Sequence, residues 1–537
     1  MKEFRHFGVM LDCSRDGVMK VSAVKQMIDC LQKMGYNTLE LYTEDTYEVE
    51  GEPYFGYLRG RYTKAELKDI DAYAKSKGIE LIPCIQTLAH YTALVRHPAY
   101  AKIVDTNDIL LIDEPETYVL IDKIFATIAE CFTSRNVNIG MDEAHMVGLG
   151  RYLDKHGYEN RNELILRHLN KVSEIAEKYG FTAHMWSDMF FRLKTKGDYY
   201  VDEPLSFPEE ITQKVPKNVE LVYWDYYHSK QQTYDAMFES HKCFEGNIWF
   251  GGGAWSWNGF APLNWFTVQT MVPAMKSVIK NDIQDVMITC WGDNGKECSF
   301  FSLLPALYAA RQYAEGNFDM ESIEKGFYKL FKVPFADFML LDLPNKTARK
   351  MVDWQGIEKI QNPCKTLLYC DPLMGIFDNL IAQERAIPYG DYAMQLKKAS
   401  KRAGKYDYLF DTLSKLCSVL ELKAELGVRT RRAYQAKNKK DLLNCIKEFA
   451  EVENRIGVFH AAFMDLWDRE NKPQGWEIHD MRLGGLMRRV KTCREKLQKY
   501  VKGKLSKIDE LEEEILPYGD GTFQENVHTF IVSMNLA

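Results

Sequence analysis

The sequence predicts an α/β chain, a (β/α)8 barrel followed by a C-terminal α-helical domain. Three observations predict it. Over the first 315 residues, eight short β-branched or apolar runs alternate with amphipathic helical stretches. Each run ends in polar or aromatic residues, and from about Phe318 the alternation stops. Strands alternating with helices argue for a parallel sheet. Eight such units in ~300 residues argue for a closed barrel, with an open doubly wound sheet as the alternative. No Gly-x-Gly-x-x-Gly follows the first run, which counts against the open sheet. A chain of 537 residues is too long for one ordinary core. We therefore expect a barrel over 1–330, a connection near Phe331–Pro344 and a helical domain over 345–537.

The strand candidates, in order, are His6–Asp12, Thr38–Thr43, Ile79–Gln86, Asn136–Glu143, Thr182–Asp188, Glu220–Asp225, Asn247–Trp255 and Val286–Asp293. Helical periodicity fills the gaps at Val21–Met34, Lys64–Lys77, Tyr118–Phe132, Glu163–Lys178 and Phe266–Ile279. The runs lead into Asp12 and Arg15, Glu44 and Asp45, His90, Asp142 and Glu143, Trp186 and Asp188, Tyr223 and Asp225, Trp255 and Trp257, and Trp291 and Asp293. In a barrel all these ends meet at one face, where active sites sit. Beyond the barrel, Arg429–Val458 and Met481–Val501 read as charged amphipathic helices with solvated outer faces. The interruption Glu470–Glu477, which carries Trp476, reads as a local plug in preference to a loop reaching another surface.

Composition excludes several classes. Net charge is -7, and no basic stripe marks nucleic acid or an anionic membrane as a partner. No apolar stretch approaches the ~20 residues of a membrane span, and Met1 to Gly8 has no apolar signal core. The 12 cysteines are scattered without a Cys-x-x-Cys pair, so reduced thiols in a cytoplasmic chain are expected. The histidines form no metal-binding pattern, and neither a metal nor an organic cofactor is expected. A homodimer through the helical domain stays open, although nothing in the sequence argues for it directly.

Gly140-Met141-Asp142-Glu143 is the most informative motif. Two adjacent carboxylates repel, so at least one should resist ionising. An acid beside an ionised partner suits work on a single substrate, and the bland reading is a solvated pair at a strand end. Residues i and i+2 of a strand share a side, so Tyr223 and Asp225 are expected to face the site and Trp224 to pack away. Each Trp taken alone is more often core than wall.

Several motifs in register make the chain resemble glycoside hydrolase family 20, the β-N-acetylhexosaminidases. They are Gly140-Met141-Asp142-Glu143, Tyr223-Trp224-Asp225, Trp291-Gly292-Asp293, Ile82-Pro83 leading to His90, and the Asn37-to-Asp45 spacing. The layout is similar to the compact branch, a barrel plus a C-terminal helical domain. The resemblance implies hydrolysis of terminal β-linked GlcNAc, or GalNAc, from an oligosaccharide or glycoconjugate, with retention. It implies Glu143 as general acid and base, with Asp142 and Tyr223 positioning the substrate's 2-acetamido group, which is the nucleophile. Asp225 and Asp293 would take the 4- and 6-hydroxyls. Trp186, Trp255 and Trp291 would form walls, and His90 either orients the acids or is a structural core residue. Many members carry Arg where this chain has Phe7, and His where it has Tyr42, so contacts to the sugar's far edge must differ. Asp12, Arg15 or a group from a loop are the candidates for them. The rivals are a direct-displacement retaining β-glycosidase, with Asp225 or Asp293 as nucleophile, and a catalytically silent sugar-binding barrel.

Overall fold

The computed structural model describes residues 3–293, 295–347, 360–383, 386–519 and 523. Eight parallel strands close a barrel in sequence order. They are β1 (His6–Asp12), β2 (Thr38–Tyr42), β3 (Glu80–Cys84), β4 (Asn136–Asn138), β5 (Thr182–Trp186), β6 (Val219–Asp225), β7 (Ile248–Gly253) and β8 (Asp285–Cys290). All eight expected strands are present. The largest difference is β4, which ends at Asn138 and not at Glu143. Gly140, Met141 and Glu143 take φ values of 71°, 70° and 51°, so this segment leaves the extended region before its acids.

The intervening helices follow from local signals. Val21–Met34 buries Val24, Met27, Ile28 and Leu31 on one stripe and stops at Gly35, whose φ of 85° suits a residue without Cβ. Lys64–Ser76 opens on a capping box in which Thr63 and Glu66 satisfy each other's backbone N–H. Pro115 starts Pro115–Cys131, where its missing N–H costs nothing.

The lower barrel interior is polar and aromatic instead of aliphatic. The Trp249 ring stacks between His6, 4.7 Å away, and His184, 4.2 Å away. His184 meets Glu40 at 2.8 Å, and His6 meets Asp285 at 2.8 Å. Burial works against charge on His6, but Asp285 and Glu80 outweigh it and raise its pKa to about 9. This end of a barrel contributes stability, not chemistry.

The chain folds as two compact units. The first comprises 1–254, 267–291 and 306–323, and the second 255–266, 292–305 and 324–537. Of the segment 345–537, residues 348–359, 384–385, 520–522 and 524–537 lie outside the described residues. The second unit is built from helices that include Asp407–Lys423, Lys439–Glu470 and Trp476–Val501. The stretch expected as one helix, Arg429–Val458, is two. Lys437 at φ 51° breaks it, and the Asn438 side chain accepts from Lys440 and Asp441 N–H to start the next. Trp476 packs against Phe463 at 5.3 Å and Trp467 at 6.0 Å, so the interruption is a local plug, as expected. Every cysteine is free, and all but Cys243 are buried. Among the described residues no helix is long and apolar enough to cross a membrane.

Candidate active site

The turn after β4 is shaped by one close approach. Gln86, just beyond β3, accepts from Met141 N–H at 3.1 Å and donates to Asp142 Oδ1 at 2.7 Å. A Cβ on Gly140 would stand 2.1 Å from Gln86 Oε1, and φ there is positive, so only glycine fits. Strained non-glycine backbone at Met141, Glu143 and His90, the last at φ 62°, clusters in this one place. Such clustering marks functional sites.

Asp142 is buried and held from two sides. Gln86 donates to one oxygen, and His90 Nε2 lies 3.1 Å from the other. Burial would raise the Asp142 pKa, but the His90 charge and these contacts outweigh it and lower it. Burial likewise opposes charge on His90, yet Asp142 and then Glu44 raise its pKa to about 10. An ionised Asp142 thus faces a protonated His90 at neutral pH. Tyr42 extends the network, donating to Glu44 Oε1 at 3.2 Å and accepting from Gln86 at 3.0 Å.

Glu143 differs from its neighbour in exposure. Its side chain is 44% exposed against 11% for Asp142. Its carboxylate lies 3.9 Å from His90 Nε2 and 4.0 Å from Arg192 Nη2. Its backbone N–H donates to Asp188 Oδ2 at 3.1 Å, and Arg192 Nε donates to the same oxygen at 3.2 Å. The acid that resists ionising is therefore Asp188 and not the buried member of the Asp142–Glu143 pair. Burial, then the charges of Asp142 and Glu143, raise Asp188 to about 7. Between about pH 4 and 7 the folded protein keeps a proton that the unfolded chain has lost, so this group makes stability fall as pH rises through that window. Asp188→Asn should flatten that fall. Thermal midpoints of both proteins from pH 4 to 8 check it, and parallel curves would count against it.

The structure reverses the expectation for β6. Tyr223 points outward, into the layer between strand and helix, with Phe238 at 5.2 Å and His241 at 5.5 Å. Its hydroxyl donates to Asp225 Oδ2 at 2.7 Å. The Asp225 carboxylate also takes the backbone N–H of Tyr227 and His228 and the His228 ring, so it staples the following loop. Trp224 is the inward residue, as the barrel's alternation requires. A Cβ on Gly251 would meet Trp186 Cζ3 at 3.1 Å and Trp224 Cβ at 3.2 Å, so both rings share the interior face. Two residues beyond Trp224, Tyr226 stacks on it at 5.2 Å and accepts from Trp291 Nε1 at 3.0 Å. Burial dominates at the Tyr226 phenol and, with the Asp142 charge adding, keeps it protonated. Trp291 meets the Tyr42 ring edge-on at 4.8 Å and Trp186 at 6.0 Å. Trp186 Nε1 is buried without a hydrogen-bond partner among the described residues.

Asp12 at the end of β1 accepts from the Ser14 N–H at 2.8 Å, and Arg15 reaches Glu44 at 3.2 Å. Through Glu44, Asp12 and Arg15 join the Asp142–His90 network. Phe7 packs on Phe4 and Tyr36, with the Arg311 guanidinium 5.0 Å over its ring. Trp255 and Asp293 belong to the second unit, where Trp255 stacks on Trp257 at 4.1 Å and Asp293 is exposed. Sequence reasoning missed Gln86, Arg192 and Tyr226. Gln86 and Tyr226 each stand one or two residues past a strand end, which was the only signal available. It named Asp188 and Glu44 at strand ends without giving either a role.

The chain matches the family model for the glycosyl hydrolase family 20 catalytic domain over residues 4–243 and that for the Glycoside Hydrolase 20C C-terminal domain over residues 336–531. Hexosaminidase D of Homo sapiens is 26% identical over 218 residues, which cover 38% of this chain and 42% of the relative. A beta-hexosaminidase of Vibrio furnissii is 27% identical over 177 residues, covering 26% of this chain and 29% of the relative. The matched regions thus span less than half of these two relatives. A GH20 exo-β-N-acetylglucosaminidase from Vibrio harveyi, solved with N-acetylglucosamine, aligns at a TM-score of 0.47 and 18% identity over 63% of this chain and 58% of that one.

Proposed function

The chain belongs to glycosyl hydrolase family 20, and we propose that it is an exo-acting β-N-acetylhexosaminidase releasing terminal β-linked GlcNAc, or GalNAc, with retention at C1. The observation that carries this reading is the division of labour in one motif. Asp142 is buried, ionised and held by His90 and Gln86, while Glu143 beside it is half-exposed. A fixed anion next to an accessible carboxyl suits a substrate that brings its own nucleophile. The 2-acetamido oxygen attacks C1 to give an oxazolinium ion, so no protein nucleophile is needed. Asp142 takes the acetamide N–H and faces the charge that develops. Glu143 protonates the leaving oxygen and then activates water. Holding the acetamide under C1 supplies much of the rate. Residues 1–330 form the catalytic barrel in this reading, and 345–537 a helical accessory domain.

Tyr226, not Tyr223, is our candidate for the hydroxyl that holds the acetamide oxygen, because it is anchored by Trp291 beside Asp142. Trp186, Trp224 and Trp291 wall the sugar, and Arg15, Asp12 and Glu44 are the polar groups on offer for its far edge. Asp225 is turned away and fully engaged, which counts against one of the two candidates for the single nucleophile of a direct displacement, Asp293 being the other. Tyr226→Phe should lower kcat by about 10²–10³-fold, since one preorganised donor is lost. Tyr223→Phe should lower the thermal midpoint and leave kcat near wild type. The opposite pattern would restore Tyr223 to the site. The reading as a whole is tested by hydrolysis of aryl β-GlcNAc, β-GalNAc and β-Glc side by side. Turnover of the glucoside at a rate like that of the N-acetylglucosaminide would overturn it.

A further inference from the structure

A cavity of about 500 Å³ opens in the barrel unit, and one of its lining residues, Arg192, lies 4.0 Å from Glu143. Its charged lining residues are Arg161, Arg192 and Lys196, with no carboxylate among the residues that line it. The whole chain carries more acids than bases, 76 against 69, so this local excess of cations runs against the bulk charge. Arg192 links the cavity to the candidate acid. It is fixed by Asp188 at 3.2 Å and the Gly197 carbonyl at 3.1 Å, with its Nη2 4.0 Å from Glu143 Oε1.

Neither of the other two cations is paired with a carboxylate among the described residues. Arg161 donates to the His145 carbonyl, but its Nε is buried without a hydrogen-bond partner, and it meets no carboxylate among the described residues. Lys196 is exposed and forms no ion pair there. The same wall holds the start of the helix Arg161–Lys178, an 18-residue helix whose N-terminus adds partial positive charge. Asn162 Oδ1, also buried and unpartnered, offers an acceptor for a hydroxyl. Tyr158 at the rim is 74% exposed and presents an aromatic face of the kind sugar rings lie on.

Asp142 occupies the buried side of the motif, so the leaving group must lie on the exposed side of Glu143, where this cavity is. Resting on the reading of Glu143 as the acid, we propose that the cavity is the leaving-group subsite and that it selects an anionic aglycone. The anion is a hexuronate carboxylate or a sulfate ester on the residue to which the terminal N-acetylhexosamine is linked.

The test compares three β-N-acetylglucosaminides linked through the same hydroxyl to a neutral hexose, to the corresponding hexuronic acid and to the sulfated hexose. At low ionic strength at least one anionic substrate should show a kcat/KM about tenfold above the neutral one, the size that about two half-exposed ion pairs supply. The gain should sit in KM and shrink at about 1 M salt, where screening acts within about 3 Å. A gain confined to one anionic arm identifies carboxylate or sulfate as the source, and a gain in both assigns the selection to charge. In Arg161→Gln and in the exposed-site variant Lys196→Gln the anionic-to-neutral ratio should fall toward one. A wild-type ratio of one, with the neutral substrate cleaved, overturns the inference and leaves the proposed function standing. A ratio that persists unchanged in both variants overturns the assignment to this cavity. Failure to cleave any of the three, or an aryl N-acetylglucosaminide, overturns the reading beneath it and the inference with it.

Discussion

Glu143→Gln is expected to remove most turnover on a natural disaccharide while leaving the fold intact. The side chain is half-exposed, so the amide can occupy its place without a buried penalty. What disappears is the proton given to the leaving oxygen, assistance worth typically ~10²–10⁴-fold. A poor leaving group depends on that proton, and an activated aryl group does not. The loss should therefore approach the upper end for a disaccharide and be much smaller for a nitrophenyl glycoside in the first step. Measuring kcat/KM for both in wild type and variant decides the matter. Equal losses would remove Glu143 from the role of acid.

Asp142→Asn should cost about 10²–10³-fold in kcat, the scale of losing one preorganised electrostatic partner of the high-energy species. The variant also alters His90. Asp142 is the main group sustaining that proton against burial, so the His90 pKa should fall from about 10. In wild type the raised His90 pKa contributes stability that is full below about pH 6.5 and fades as pH rises through about 10. The Asn variant should lose this contribution, which pH-dependent thermal melts would record. A thiazoline mimic of the oxazolinium ion should inhibit wild type far better than free GlcNAc, because the site is complementary to the high-energy species. That advantage should collapse in Asp142→Asn and in Tyr226→Phe. Wild type binding the thiazoline no better than GlcNAc would make direct displacement the better account.

The fold was legible because its signals are local and repeated. Period-two and helical patterns recur eight times, and each strand candidate was found within a few residues of its bounds. The exception, β4, ends early because three residues in five leave the extended region, and Met141 and Glu143 carry no signal for that. The Asp142–Glu143 motif was legible as a pair of acids, but not the partition of charge around it. Ionisation depends on burial and on His90, Arg192 and Asp188, which lie tens of residues away in sequence and within 4.0 Å in space.

What the sequence determined by itself is the barrel, its eight strands, the helical segment after it and the pair of acids at the end of the fourth strand. Hydrophobic periodicity and glycine placement act over a few residues and survive in a string of letters. Only the tertiary structure decided which face each strand turns to the site. Period two told us that Tyr223 and Asp225 share a side, but a one-residue choice of register separates inside from outside, and that choice is made by neighbours. Gly251 on β7 leaves the interior space that Trp186 and Trp224 fill, which sends Tyr223 outward and brings Tyr226 to the mouth of the barrel.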